Sequence, residues 1–218
     1  MELSYRRAGA LALGALTVAV ALGELLGLAP HPSPGAGPPG GEGLPTPRVA
    51  LAGAPEIAQR ATVVGYERAR FGAGWARHGP CTTREHVIET QWPGTTREPG
   101  GCRLSGPVAP DPYSGETTEV GDLDVDHVVP LSAAWDLGAH AWDDETRVRF
   151  ANDPLNLVAA SARENRAKGD ALPAEWMPPD KQAHCWYATR VAAVSATYDL
   201  PLPAADLRVL RRACHSGR

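Results

Sequence analysis

The chain lacks a basic excess: 21 lysines and arginines stand against 25 aspartates and glutamates, for a net charge of −4. Proteins that grip nucleic acid often carry the opposite balance, so the bulk charge argues mildly against such a partner. It does not exclude one. An enzyme that must release its product needs positive charge near the cut and not a cationic whole. No internal repeat is visible, which excludes a solenoid. The cysteines lack the C-x₂₋₄-C spacing of structural zinc sites. No zinc finger or helix-turn-helix is evident either, so a partner nucleic acid would be held by its backbone more than by its bases.

What is present is ordinary globular material. The 218 residues are 43% hydrophobic and 21% charged, enough for one domain with extras. Arg6-Arg7 precede an uncharged apolar run, Ala8–Gly23, and Ala19-Val20-Ala21 offers a small-x-small cleavage site. Residues 1–29 therefore read as an export signal. The alternative is a membrane tether through residues 8–29, since continuation to Ala29 brings the run near the roughly 20 residues of a span. Residues 30–48, with seven prolines among glycines, read as a semi-extended linker. The folded domain is expected over 49–218.

Four cysteines, Cys81, Cys102, Cys185 and Cys214, suit an exported chain with two disulfides. Three pairings are open. Local loop closure favours Cys81–Cys102 with Cys185–Cys214. The rival is a zinc-dependent hydrolase built on His184-Cys185 and Cys214-His215.

Ile57, Ala61, Val64 and Arg68 recur at helical spacing and predict a helix over 56–70. A second short helix is expected over Thr83–Thr90. Cys102–Val108 and Thr117–Val120 read as strands around the turn Asp111-Pro-Tyr-Ser-Gly115. Leu123, Val125, His127 and Val129 alternate with Asp122, Asp124, Asp126 and Val128, giving a strand that Pro130 is expected to end. Helices inserted over Leu131–Ala151 precede a short strand, Leu155–Ala160. Ser161 and Glu164 have the spacing of a capping box, and Gly169 closes a helix of about two turns. Two more helices are expected over 180–198 and 203–212.

The chemistry concentrates in residues 122–170. Asp126-His127 sits at the end of Leu123-Asp-Val-Asp-His-Val-Val-Pro130; Asn156 lies in Asn152-Asp-Pro-Leu-Asn-Leu157 and Asn165 in Glu164-Asn-Arg-Ala-Lys-Gly169. A carboxylate beside an imidazole, followed by two asparagines, can hold one hard cation next to one general base. A free imidazole, with a pKa near 6.5, is poised for that work at neutral pH. On a strand, however, adjacent residues point to opposite faces, so Asp126 and His127 can serve one phosphate only where the strand ends. A buried, hydrogen-bonded core histidine is the plainer account of an isolated His127.

Together these blocks resemble the HNH endonuclease family in its His-Asn-Asn form, and within it the exported bacterial subgroup. The shared blocks are Asp-His-Val-Val-Pro-Leu (126–131), Asn-Asp-Pro-Leu-Asn-Leu (152–157) and Asn-x-x-Lys-Gly-Asp (165–170). The resemblance implies an α+β fold with a ββα-metal core, flanked and interrupted by helices. It also implies metal-dependent hydrolysis of DNA phosphodiester bonds. In this reading His127 is the general base, Asp126 and Asn165 bind the metal, and Asn156 orients the His127 loop. Lys168, Arg166 and Arg163 are candidate phosphate contacts. Two oxygen ligands suit Mg²⁺ or Mn²⁺. The rival from another class is a non-catalytic envelope module that binds on the same fold.

Overall fold

The computed structural model describes residues 43–215. The export signal read at 1–29, and the linker as far as residue 42, lie outside the described residues. Pro47 occupies the first turn of helix α1 (Pro47–Gly53), a position where its missing N–H costs nothing. Seven two-residue strands come first: β1 (Glu56–Ile57), β2 (Arg77–His78), β3 (Cys81–Thr82), β4 (Thr96–Arg97), β5 (Leu104–Ser105), β6 (Ala109–Pro110) and β7 (Thr117–Thr118). The centre of the fold is the antiparallel pair β8 (Leu123–His127) and β9 (Leu157–Ser161). Register runs from Leu123 opposite Ser161 to His127 opposite Leu157.

That register sorts the side chains. Leu123, Val125, Leu157 and Ala159 face one way and pack on Val87, Ile88 and Trp92 of and beside helix α2 (Thr83–Gln91). Val158 and Ala160 face the other way, into the larger core with Tyr113, Tyr187 and Val191. Asp124 pairs with Ala160 and Asp126 with Val158, so both acids leave β8 on that second side, Asp126 buried and Asp124 half-buried. Paired residues across two strands share a face. The carboxylate and the imidazole thus leave the strand on opposite sides.

Between β8 and β9 run α3 (Leu131–Asp136), a 3₁₀ turn at Ala139–Ala141, α4 (Asp144–Asn152) and a 3₁₀ turn at Pro154–Asn156. Trp135 is buried core, edge-on to Tyr66 and Phe71. Helix α5 (Ala162–Lys168) follows β9 directly, completing strand, connection, strand, helix. Helices α6 (His184–Thr197) and α7 (Ala204–His215) close the chain and are bridged by Cys185–Cys214. Cys81–Cys102 is the second disulfide. The fold is α+β with two disulfides. Bound in disulfides, Cys185 and Cys214 have no thiolate to offer zinc, and no metal-holding cluster of three or more His, Cys, Asp or Glu exists among the described residues.

Two local expectations fail. The helix over 56–70 does not form. Glu56–Ile57 (β1) instead pairs in parallel with Leu202–Pro203 (β10), and only Arg68–Phe71 coils, as a 3₁₀ turn. Gly65 adopts φ +90°, and the Asp136 carboxylate accepts from the Val63 N–H (2.8 Å) and Arg60 Nε (2.7 Å), holding the segment open. Val64, expected on an apolar side, is 90% exposed. Tertiary hydrogen bonds here override a weak periodicity. The capping box is only half made. Ser161 Oγ accepts from the Glu164 N–H at 3.3 Å, but the Ser161 N–H donates to Asp111 Oδ2. Glu164 turns to Arg163 instead.

Candidate active site

β8 ends at His127, ahead of Pro130, and the chain bends at Val128 and Val129; Asp126 and His127 border the same cleft. That cleft, about 330 Å³, is lined by Tyr66, Arg68, Asp126, His127, Asn165 and Asp170, among others. The strand's end resolves the opposite-face difficulty. A second cleft, about 370 Å³, lies on the far side of the imidazole and shares Arg68, His127 and Leu131 with the first.

His127 is only 7% exposed. Its Nε2 lies 2.9 Å from the Ala151 carbonyl oxygen. A carbonyl can only accept, so Nε2 carries the proton and Nδ1 keeps the lone pair. Trp75 stacks on the ring at 5.2 Å with a 13° interplanar angle. The end of α4 sets both partners: Ala151 takes the histidine, while Asn152 Oδ1 accepts from the Ala76 N–H at 2.8 Å, beside Trp75. Burial drives the imidazole pKa down to about 3; the Ala151 hydrogen bond opposes this, and Arg68 and Lys168 add to it. The ring is therefore neutral at neutral pH and far from the free-imidazole value expected for it.

Asn156 is fully buried. Its side chain clamps Val129 from both sides, Oδ1 accepting the Val129 N–H (2.8 Å) and Nδ2 donating to the Val129 oxygen (3.2 Å). Its main-chain oxygen accepts the Val128 N–H. The turn that follows His127 is thus held on three hydrogen bonds.

Asp126, 3% exposed, has a partner on each oxygen. Tyr113 donates its hydroxyl to Oδ2 at 2.6 Å, and Lys168 Nζ sits 2.9 Å from Oδ1. Burial raises its pKa, against the pull of Lys168 and Tyr113. Burial and the neighbouring carboxylate keep the Tyr113 hydroxyl well above its ordinary value, so it stays a donor. Asp111 places that tyrosine: its carboxylate binds the N–H groups of Tyr113, Ser114 and Ser161. One acid thereby links the turn to the start of α5.

Asn165 lines the first cleft, with Nδ2 3.4 Å from Asp124 Oδ2; its Oδ1 has no described partner. The phosphate contacts expected on α5 need correction. The Lys168 side chain is 0% exposed and is committed to Asp126 and to the His127 main-chain oxygen. Arg163 pairs with Glu116 and Glu164. Neither Arg163 nor Arg166 lines the cleft. The exposed Arg68 does, and it has no hydrogen-bond or ion-pair partner among the described residues.

The donor set of this cleft suits a hard divalent ion. Asp126 and Asn165 border one cleft and offer only oxygen, the chemistry of Mg²⁺ or Mn²⁺ and not of zinc. A carboxylate has about four lone-pair sites, so the two bonds to Asp126 leave it room to ligate. The residues fit such an ion, with Lys168 as a competing cation.

The model of the C-terminal domain of GmrSD restriction endonucleases matches residues 97–206, half of the chain. A protein of Arthroderma benhamiae (strain ATCC MYA-4681 / CBS 112371), named "Uncharacterized secreted protein", is 39% identical over 150 residues, which cover 67% of this chain and 72% of that one. No solved structure matches. With its Asp-His, Asn and Asn blocks falling inside the matched span, the chain belongs to the GmrSD C-terminal domain family, an HNH-type endonuclease family.

Proposed function

We propose that the chain is an exported endonuclease that hydrolyses DNA phosphodiester bonds, with little sequence preference and with Mg²⁺ or Mn²⁺ as cofactor. One observation supports this above the rest: His127 commits Nε2 to a main-chain carbonyl while sharing a cleft with the oxygens of Asp126 and Asn165. A ring held that way keeps its lone pair on the other nitrogen, the acceptor that a general base needs.

Nδ1 of His127 takes a proton from a water that attacks phosphorus. The P–O bond to the 3′-oxygen breaks, its electron pair leaves with that oxygen, which takes a proton from solvent, and the products carry 5′-phosphate and 3′-hydroxyl ends. Asn156 fixes the direction of the ring by clamping the turn after it. Asp126 and Asn165 would hold the ion, which when bound neutralises charge on the phosphate and the departing oxygen. Arg68 supplies the cleft's unpaired positive charge, and Arg166, exposed on α5, is available to a phosphate farther along the strand. The low basicity of the buried ring means the water must be acidified where it binds, which a cation in the cleft would do.

Export rests on the apolar N-terminal run, on two disulfides that suit an oxidising compartment, and on the secreted relative. Among the described residues no helix is long and apolar enough to cross a membrane. The experiment is digestion of plasmid, linear DNA and RNA, with EDTA and then with Mg²⁺ or Mn²⁺ restored. DNA cutting that stops with chelator and returns with metal supports the reading. No cutting under any metal favours the binding module instead.

A further inference from the structure

The second cleft differs in character from the first. Its walls are Phe71, Trp75, Leu131 and Ala151, and the backbone from Gly72 to Gly74 forms another side. Gly72 and Gly74 sit at φ +110° and +128°, conformations open to glycine and strained for other residues. The loop's path therefore depends on them. Among the described residues the only charged or titratable side chains on this cleft are Arg68 and His127, and both also border the first cleft. The two spaces meet at the imidazole, one polar and one apolar.

Resting on the nuclease reading, we infer that the second cleft receives the nucleobase of one of the two nucleotides flanking the scissile phosphate. A phosphodiester lodged beside His127 and Arg68 carries only sugars and bases on either side. Of these, the base alone has a flat apolar face. The cleft, at about 370 Å³, falls within the usual range for small-ligand pockets. An apolar, aromatic-walled space accepts any base, because every base has such a face. Among the described residues the cleft's side-chain hydrogen-bonding groups are Arg68, His127 and the single indole N–H of Trp75, few for reading base edges, which is consistent with the low sequence preference proposed above. A base must leave its stack to enter, so single strands and frayed ends are the favoured substrates.

The test uses the disulfide-bonded protein and end-labelled single-stranded oligonucleotides of one sequence, intact or with a single abasic nucleotide, and maps every cut. Ala73 is exposed, at the edge of the cleft, so Ala73→Trp narrows the cleft without disturbing the core. Expected is a loss of about tenfold in cutting at one linkage adjoining the abasic position, the scale of one stacked base, with distant linkages unchanged. Ala73→Trp should slow cutting of the intact strand by a similar factor and leave the abasic-adjoining cut at the parental rate. Undiminished cutting on both sides of the abasic nucleotide overturns the subsite, as does an Ala73→Trp protein that cuts every linkage at parental rates. A parent that cuts no linkage in any strand overturns the nuclease reading and the subsite together.

Discussion

Lys168 Nζ lies 2.9 Å from Asp126 Oδ1 and 2.7 Å from the main-chain oxygen of His127. One side chain from α5 thus ties together both members of the Asp-His pair from below the cleft. Its charge offsets that of Asp126 and accounts for a buried acid one residue from the end of β8.

Removing one partner of such a buried pair strands a charge. Lys168→Met is expected to destabilise the protein by about 3–5 kcal/mol, read by denaturant unfolding. Asp126→Asn combined with Lys168→Met should cost clearly less than the sum of the two single changes. Additive losses would mean that the two groups do not interact.

Asn156→Ala removes both side-chain bonds to Val129 in a site with no water access. The expected loss is about 1–3 kcal/mol from unpaired buried groups, together with a fall in kcat larger than any change in KM. Equal activity at parental stability would show that the turn after His127 needs no clamp.

Burial holds His127 at a pKa of about 3, below the 6.5 of an exposed imidazole. The unfolded chain therefore takes up this proton first. Above pH 6.5 the group contributes nothing to the pH dependence. As pH falls from 6.5 toward 3, stability is lost at about 1.4 kcal/mol per pH unit. Unfolding of metal-free protein between pH 7 and pH 5 should show this slope, and His127→Gln should lack it. Parallel curves for the two proteins would place the ring in water.

Arg68→Ala should raise KM for DNA several-fold and reduce the salt dependence of binding by about one phosphate contact. Arg163→Ala, whose guanidinium is held by Glu116 and Glu164, should change neither.

The strand that carries Asp126 and His127 and the short helix that carries Asn165 were legible because each is specified by a short contiguous block, whereas Asn156, expected within the strand Leu155–Ala160, sits in the 3₁₀ turn Pro154–Asn156 before β9. Ser161 and Gly169 bounded α5 correctly for the same reason. What the blocks could not supply was the direction of side chains set by distant packing. Lys168 lies on a helix with exposed neighbours, and only the position of β8 beneath it turns it inward. Arg68 comes from a segment whose periodicity suggests a helix, and a loop held by Asp136 at Arg60 and Val63 replaces it; Trp75 lies beyond that segment, in a loop next to the Ala76 N–H that Asn152 binds. Gly72 and Gly74 beside an aromatic were the available signal for that loop. Tyr113 and Asp111 were visible as turn chemistry, but their hold on Asp126 and Ser161 spans long stretches of chain. The depressed pKa of His127 follows from burial, which alternation in a strand hinted at and a motif conceals.

The most direct test of His127 as the proton acceptor is single-turnover nicking of supercoiled plasmid in saturating Mg²⁺ by the parent and by His127→Ala, each checked for folding by thermal melting. A folded variant whose nicking rate drops by at least about a hundredfold, the scale of a lost general base, is the expected result. A folded variant that nicks at the parental rate would contradict it.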